Sequence, residues 1–202
     1  PPDAGMLLLD GHPVSFRSPR EAREARLSTI FQELHLVGGL SIAENIFLGS
    51  PPLTCWGLID RARMNHDAGR ILAALDLDLD PVTPVERLKV GGRQMVEIAK
   101  ALSFDARVLI LDEPTSALTG REVESLFETI RMLKARGVGM VYITHRLDEL
   151  PAIADDVTIF RDGALVHEAE FCVGDRDDYV RRMVGRELTL GKVRTEARLG
   201  PT

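Results

Sequence analysis

The residues best suited to chemistry are Asp112 and Glu113, two adjacent carboxylates delivered by the apolar run Val108-Leu109-Ile110-Leu111. An uninterrupted apolar run of this length reads as a strand buried on both faces. Ligands of parallel α/β sheets bind at the carboxyl ends of strands, where these two acids stand. Adjacent side chains on a strand point to opposite faces, so the pair can divide its work. Asp112 can hold Mg²⁺, directly or through water, and Glu113 can orient and polarise a water for attack on a phosphoryl group. An acidic pair after a strand is equally an ordinary surface turn. Other residues shift the balance. Gln32 closes an apolar strand over 27–31, and His145 follows another over 140–143. Gly91-Gly92 precedes a helix expected over 93–102, where backbone N–H groups can approach a phosphate at the positive end of the helix dipole. Each taken alone reads as a loop or structural residue, whereas one nucleotide site accounts for all of them.

The elements that must position these residues are legible from pattern. Asp10-Gly11 and Asp162-Gly163 each sit between short apolar runs and read as hairpin turns. Ser41 with Glu44, and Thr119 with Glu122, have the spacing of capping boxes that open helices. Residues 60–77 read as an arginine-bearing helix. After Thr119, Val123, Leu126, Phe127, Ile130 and Leu133 recur at helical spacing, and Gly137 ends the helix. Strand, helix and strand over 108–143 make a βαβ unit with parallel strands. A short helix over 147–154 and a closing helix over 175–183 follow. The fold class is therefore α/β: a mainly parallel sheet, a helical insertion near 40–105, and antiparallel pieces at both ends.

Composition narrows the class. The 202 residues carry 31 acidic and 25 basic side chains, a net charge of −6, which argues against a broad nucleic-acid-binding face. With 45% apolar residues a substantial core can form. No apolar run approaches the length of a bilayer span, no signal peptide opens the chain, and two cysteines, Cys55 and Cys172, make no disulfide framework. These features suggest a soluble protein of a reducing compartment. The opening Pro1-Pro2-Asp3-Ala4-Gly5 reads as the middle of a longer chain.

In combination these residues resemble the nucleotide-binding domain of an ABC transporter ATPase, over 1–188, with 189–202 as a polar tail or linker. Gln32 matches the Q-loop glutamine, Asp112 the Walker B aspartate, Glu113 the catalytic glutamate and His145 the switch histidine. Ser116-Ala117-Leu118-Thr119 matches the D-loop, and Leu88-Lys89-Val90-Gly91-Gly92 stands where the ABC signature does. Residues 31–36, 41–49, 94–102 and 183–188 are similar to the first of the tandem domains of bacterial monosaccharide importers. The resemblance implies a P-loop NTPase-like (RecA-like) fold, ATP and Mg²⁺ as ligands, and Gln32 with Asp112 at the metal. It implies Glu113, His145 and Gln32 in catalysis, and residues 88–92 and 116–119 at the nucleotide. It further implies membrane permease subunits and a second nucleotide-binding domain as partners, a periplasmic sugar-binding protein acting indirectly, and a place on the cytoplasmic face of the inner membrane. A soluble ABC-type ATPase without a permease, or a non-hydrolysing regulatory remnant, are the other readings of the same motifs.

Two departures from the family pattern stand out. The phosphate-loop sequence G-x-x-x-x-G-K-[ST] is absent from these residues. The family's pattern places that loop upstream, together with a strand expected to run beside the Asp112 strand. In the signature, Lys89 replaces a small polar residue and Gly92 a glutamine. The lysine either supplies charge to the phosphate oxygens or blocks closure by its bulk. Lacking a phosphate cradle, the 202-residue chain by itself is expected to release phosphate from ATP at a negligible rate, which a phosphate-release assay checks directly.

Overall fold

The computed structural model describes residues 4–31 and 35–184; Gln32 and the expected tail over 189–202 lie outside the described residues. The chain divides into two compact units, residues 1–145 and 146–202.

The first unit opens with an antiparallel hairpin of β1 (Leu7–Leu9) and β2 (His12–Val14), turned by Asp10 and Gly11 at φ 51° and 77°. Both turn residues are left-handed, the twist that suits a two-residue hairpin loop. Helix α1 (Pro19–Glu24) follows, with Ser18 as its cap, and leads into β3 (Leu27–Ile30). The chain then passes through α2 (Ile42–Ile46), α3 (Arg61–Ala74) and α4 (Val90–Ser103) before returning as β4 (Val108–Asp112). Helix α5 (Gly120–Ala135) crosses over to β5 (Gly139–Ile143), and the three strands form a parallel sheet in the order β3-β4-β5.

One face of this sheet carries the core. Leu109 and Leu111 are fully buried, and Phe127 of α5 meets Tyr142 of β5 edge-on at 6.5 Å. The opposite face is open: Val141 and Ile143 are 51% and 47% exposed. This corrects the expectation of strands buried on both faces. Continuous apolar sequence states what a strand could bury, while helix packing decides what it does bury. A second correction concerns the strand expected beside β4: both edges of β4 are already taken, by β3 and β5.

The helical insertion is well buried. Met64, Ala68 and Leu72 of α3 form one stripe at helical spacing, and Ile42 and Ile46 of α2 are fully buried. Helix α4 begins three residues before its expected start. Lys89 is its extended N-terminal cap, so Gly91 and Gly92 lie in the first helical turn and not in a loop before it. Low glycine propensity concealed that turn.

The second unit contains α6 (Leu150–Ile153), the hairpin of β6 (Asp156–Arg161) and β7 (Ala164–Glu170), and α7 (Arg176–Val184). Asp162 and Gly163 form its left-handed turn. Val157, Ile159 and Tyr179 make a small core, and the Tyr179 hydroxyl accepts a bond from the Cys172 N–H at 3.1 Å.

The capping box of α2 is formed as its spacing predicts. The Ser41 hydroxyl accepts from the Glu44 N–H, and the Glu44 carboxylate accepts from the Ser41 N–H at 2.9 Å. Bonds from the Ser41 backbone and side chain, aided by the Arg61 charge, hold the Glu44 carboxyl below its ordinary 4.5. A carboxyl with a lowered folded pKa stabilises the fold above its unfolded pKa and loses that contribution as pH falls through the folded value. Ser41→Ala is expected to cost about 1 kcal/mol in urea unfolding at neutral pH. The stability gap between the wild type and Glu44→Gln is expected to close as pH falls below 4.5. A gap that stays constant on acidification contradicts this role for Glu44.

Candidate functional site

The strand tips bring two of the candidate residues into contact. Pairing of β4 with β5 sets Asp112 opposite Ile143. One residue on, the Glu113 N–H donates to the Ile143 carbonyl at 2.9 Å. Glu113 then turns out of the strand with φ 45°, a left-handed conformation that a non-glycine residue seldom adopts. The turn continues as the Ser116 N–H bonds back to the Glu113 carbonyl. Glu113 therefore leaves the strand at this turn, so strand alternation alone does not set its direction. His145 lies two residues beyond Ile143, and its Nδ1 stands 3.0 Å from Glu113 Oε1. The carboxylate is 30% exposed and the imidazole 68% exposed, so the pair is open to solvent on one side. Asp112 ends β4 on the open face of the sheet, half-buried, as a single hard oxygen donor. Among the described residues no group of three or more His, Cys, Asp or Glu side chains could hold a metal ion. Gln32 lies outside the described residues.

The other candidate segments meet each other elsewhere. Lys89 and Val90 at the start of α4 are exposed, while Gly91 is buried. The Gly91 N–H donates to Glu122 Oε1 at 3.2 Å. Glu122 Oε2 accepts from the Thr119 N–H at 2.9 Å and from the Thr119 hydroxyl at 2.8 Å. Hydrogen bonds from the Thr119 backbone and side chain hold the Glu122 carboxyl below the usual carboxylate range, and the Gly91 N–H and the Lys89 charge add to this. Ser116, Ala117 and Thr119 are exposed, and Leu118 is half-buried. Residues 88–92 and 116–119 are thus neighbours within one chain. Gln94, one turn into α4, is buried, and its Nε2 has no partner among the described residues.

Sequence reasoning missed the residues that staple the segment following Gln32. Glu97 of α4 accepts from the His35 N–H at 2.9 Å, and Lys100 Nζ reaches the His35 carbonyl at 3.4 Å. Asn45 of α2 is fully buried. Its Oδ1 accepts from the Val37 N–H at 2.8 Å, and its Nδ2 donates to the carbonyls of Val37, Leu40 and Ser41. A buried asparagine on an apolar helix face was the available signal, since such a group must find partners. Glu97 gave a similar signal within the apolar run of α4. A cleft of about 520 Å³ beside this staple is lined by Leu27, Thr29, Phe31, Glu97, Lys100 and Phe104. Asp112, Glu113 and His145 are not among the residues that line it.

The three-stranded parallel sheet with α5 crossing from β4 to β5 has the α/β arrangement of ATP-binding cassettes. Solved structures share it. A nucleotide-free ATP-binding cassette from an ABC transporter aligns with a TM-score of 0.74 at 19% identity, over 92% of this chain and 75% of that one. The ADP conformation of the ATP-binding cassette MJ1267 aligns with a TM-score of 0.71 at 22% identity, over 89% of this chain and 72% of that one. Residues 1–116 match the ABC transporter family, and the chain belongs to that family. The ribose import ATP-binding protein RbsA of Rhodopirellula baltica is 53% identical over 94% of this chain and 37% of its own length. RbsA 2 of Rubrobacter xylanophilus is 50% identical over 93% of this chain and 36% of its own. A relative from Burkholderia cenocepacia, named for ribose, galactose and methyl galactoside import, is 48% identical over 98% of this chain and 38% of its own. The chain spans a little over a third of the length of these curated relatives.

Asn45→Leu leaves the backbone groups of the 37–41 loop without their buried partner and is expected to destabilise the protein by about 3 kcal/mol in urea unfolding. A loss below about 0.5 kcal/mol contradicts the staple.

Proposed function

We propose that the chain is a nucleotide-hydrolysing cassette of a monosaccharide importer and works within a longer protein. The observation that carries this reading is the contact of Glu113 with His145 at the tips of two parallel strands, beside Asp112. The sugar-import names of relatives about half identical to the chain support the transported class.

The roles follow from position and chemistry. Asp112, with Gln32, would hold Mg²⁺, a cation that takes one or two protein oxygens and completes its shell with phosphate oxygens and water. When bound, Mg²⁺ neutralises charge on the transferred phosphoryl group. Glu113 orients the attacking water and accepts its proton. His145 fixes the Glu113 carboxylate through Nδ1. Residues 88–92 and 116–119 form the surface that meets the nucleotide of a second cassette. This arrangement needs the phosphate loop of the longer protein, whose backbone N–H groups cradle the phosphates.

The permease subunits would dock on the helical insertion. Residues 51–60 form a small apolar loop closed by a bridge between Leu53 and Ile59. At its tip Trp56 is 86% exposed, with Leu53, Leu58 and Ile59 exposed around it. An exposed apolar cluster of this kind marks a protein contact. No helix among the described residues is long and apolar enough to cross a membrane. The reading places the cassette against the cytoplasmic face of the inner membrane through the permease, with a periplasmic sugar-binding protein on the far side.

In the full-length protein, Glu113→Gln is expected to lower ATP turnover by at least about 100-fold while ATP affinity changes by less than about threefold. Phosphate release and equilibrium nucleotide binding measure the two. Turnover at an undiminished rate overturns the role given to Glu113.

A further inference from the structure

The two glycines of the 88–92 segment face different surroundings. A Cβ on Gly92 would stand in ordinary contact with Leu88, 3.4 Å from its Cβ and 3.8 Å from its methyl groups. A Cβ on Gly91 would fall 2.4 Å from Glu122 Oε1, 2.5 Å from its Cδ and 2.6 Å from its Cγ. Gly91 is helical and is not among the residues with positive φ, so its backbone does not require glycine. A side chain there would instead displace the half-buried Glu122 carboxylate from its present position. That carboxylate lies against the Gly91 Cα and takes the Gly91 N–H, while its other oxygen takes two bonds from Thr119. Gly91 is the second residue of α4, and an N–H at that position has no partner within its own helix. Glu122 supplies the missing acceptor from a residue 31 positions away, and as an ionised group it makes a stronger bond than a neutral one.

We infer that Glu122 is a positioning residue that straps the 88–92 segment to the 116–119 segment of the same cassette, so that both approach a nucleotide as one body. Its capping role at the start of α5 needs only the Thr119 bonds. The Gly91 bond is additional, and the missing side chain at position 91 makes room for it. Lys89 contributes a positive charge that favours the ionised carboxylate. The strap consumes one N–H of the α4 terminus, which is then no longer available to a phosphate. The phosphate-facing capacity of the segment therefore falls to Lys89 and the remaining first-turn amides.

This inference rests on the cassette reading for its functional consequence but not for its geometry, and the test separates the two. Amide hydrogen exchange across residues 88–93 is measured in the full-length protein and in Glu122→Ala and Glu122→Gln variants, with thermal unfolding as a check on folding. Exchange at Gly91 is expected to accelerate about tenfold in Glu122→Ala, because no other acceptor protects that amide. Glu122→Gln, which keeps the shape and one acceptor oxygen, is expected to fall between. The ATPase is then followed in Gly91→Ala, Glu122→Ala and the double variant. Each single change is expected to lower kcat about tenfold with KM for ATP within about twofold, and the double variant to be no slower than the slower single one. The methyl group that Gly91→Ala introduces breaks the same bond that Glu122→Ala removes. Unchanged exchange at Gly91 in Glu122→Ala overturns the strap, as does a double variant whose losses in kcat multiply. A wild-type protein with no nucleotide turnover defeats the cassette reading, and the exchange result still decides the strap.

Discussion

The arrangement depends on the register of one parallel strand pair. Because Asp112 sits opposite Ile143, the Glu113 N–H finds the Ile143 carbonyl, and His145 emerges within hydrogen-bond reach of the Glu113 carboxylate. A slip of one residue would turn every side chain of one strand to the other face and separate the acid from the imidazole. The burial of Leu109 and Leu111 opposes such a slip. The left-handed backbone at Glu113 stores strain on the order of 1 kcal/mol, and the strand pairing on one side and the turn to Ser116 on the other hold it in place.

Helix α4 has a second organising role. Its 14 residues extend roughly 21 Å. At its start the Gly91 N–H is bound to Glu122; two turns along, Glu97 and Lys100 hold His35. The 88–92 segment and the stretch just after Gln32 are therefore fastened to one rigid rod. Asn45 secures the same stretch from α2 through Val37.

Features written in local sequence were legible, and those set by tertiary packing were not. The two Asp-Gly hairpins, the Ser41 capping box, the parallel strands over 108–143 and the helices around them follow from nearest-neighbour chemistry. Strand ends bearing Asp112, Glu113 and His145 were legible for the same reason, since apolar runs stop where polar residues begin. One-sided burial of β4 and β5 was not, because a run of Val, Leu and Ile reads identically whether helices cover one face or two. The start of α4 was hidden by two glycines of low helix propensity, of which Gly91 is held by the Glu122 carboxylate. Glu97 escaped notice because its partner is a backbone N–H 62 residues away, a contact that no spacing rule contains.

The central claim is that Asp112, Glu113 and His145 surround one magnesium-bound triphosphate. The most direct test is a crystal structure of the full-length Glu113→Gln protein grown with ATP and Mg²⁺. The account predicts the metal at Asp112, bound directly at about 2 Å or through one water, with the side chains of residues 113 and 145 beside the γ-phosphate. A well-ordered triphosphate whose γ-phosphate and metal lie away from all three of these residues would contradict it.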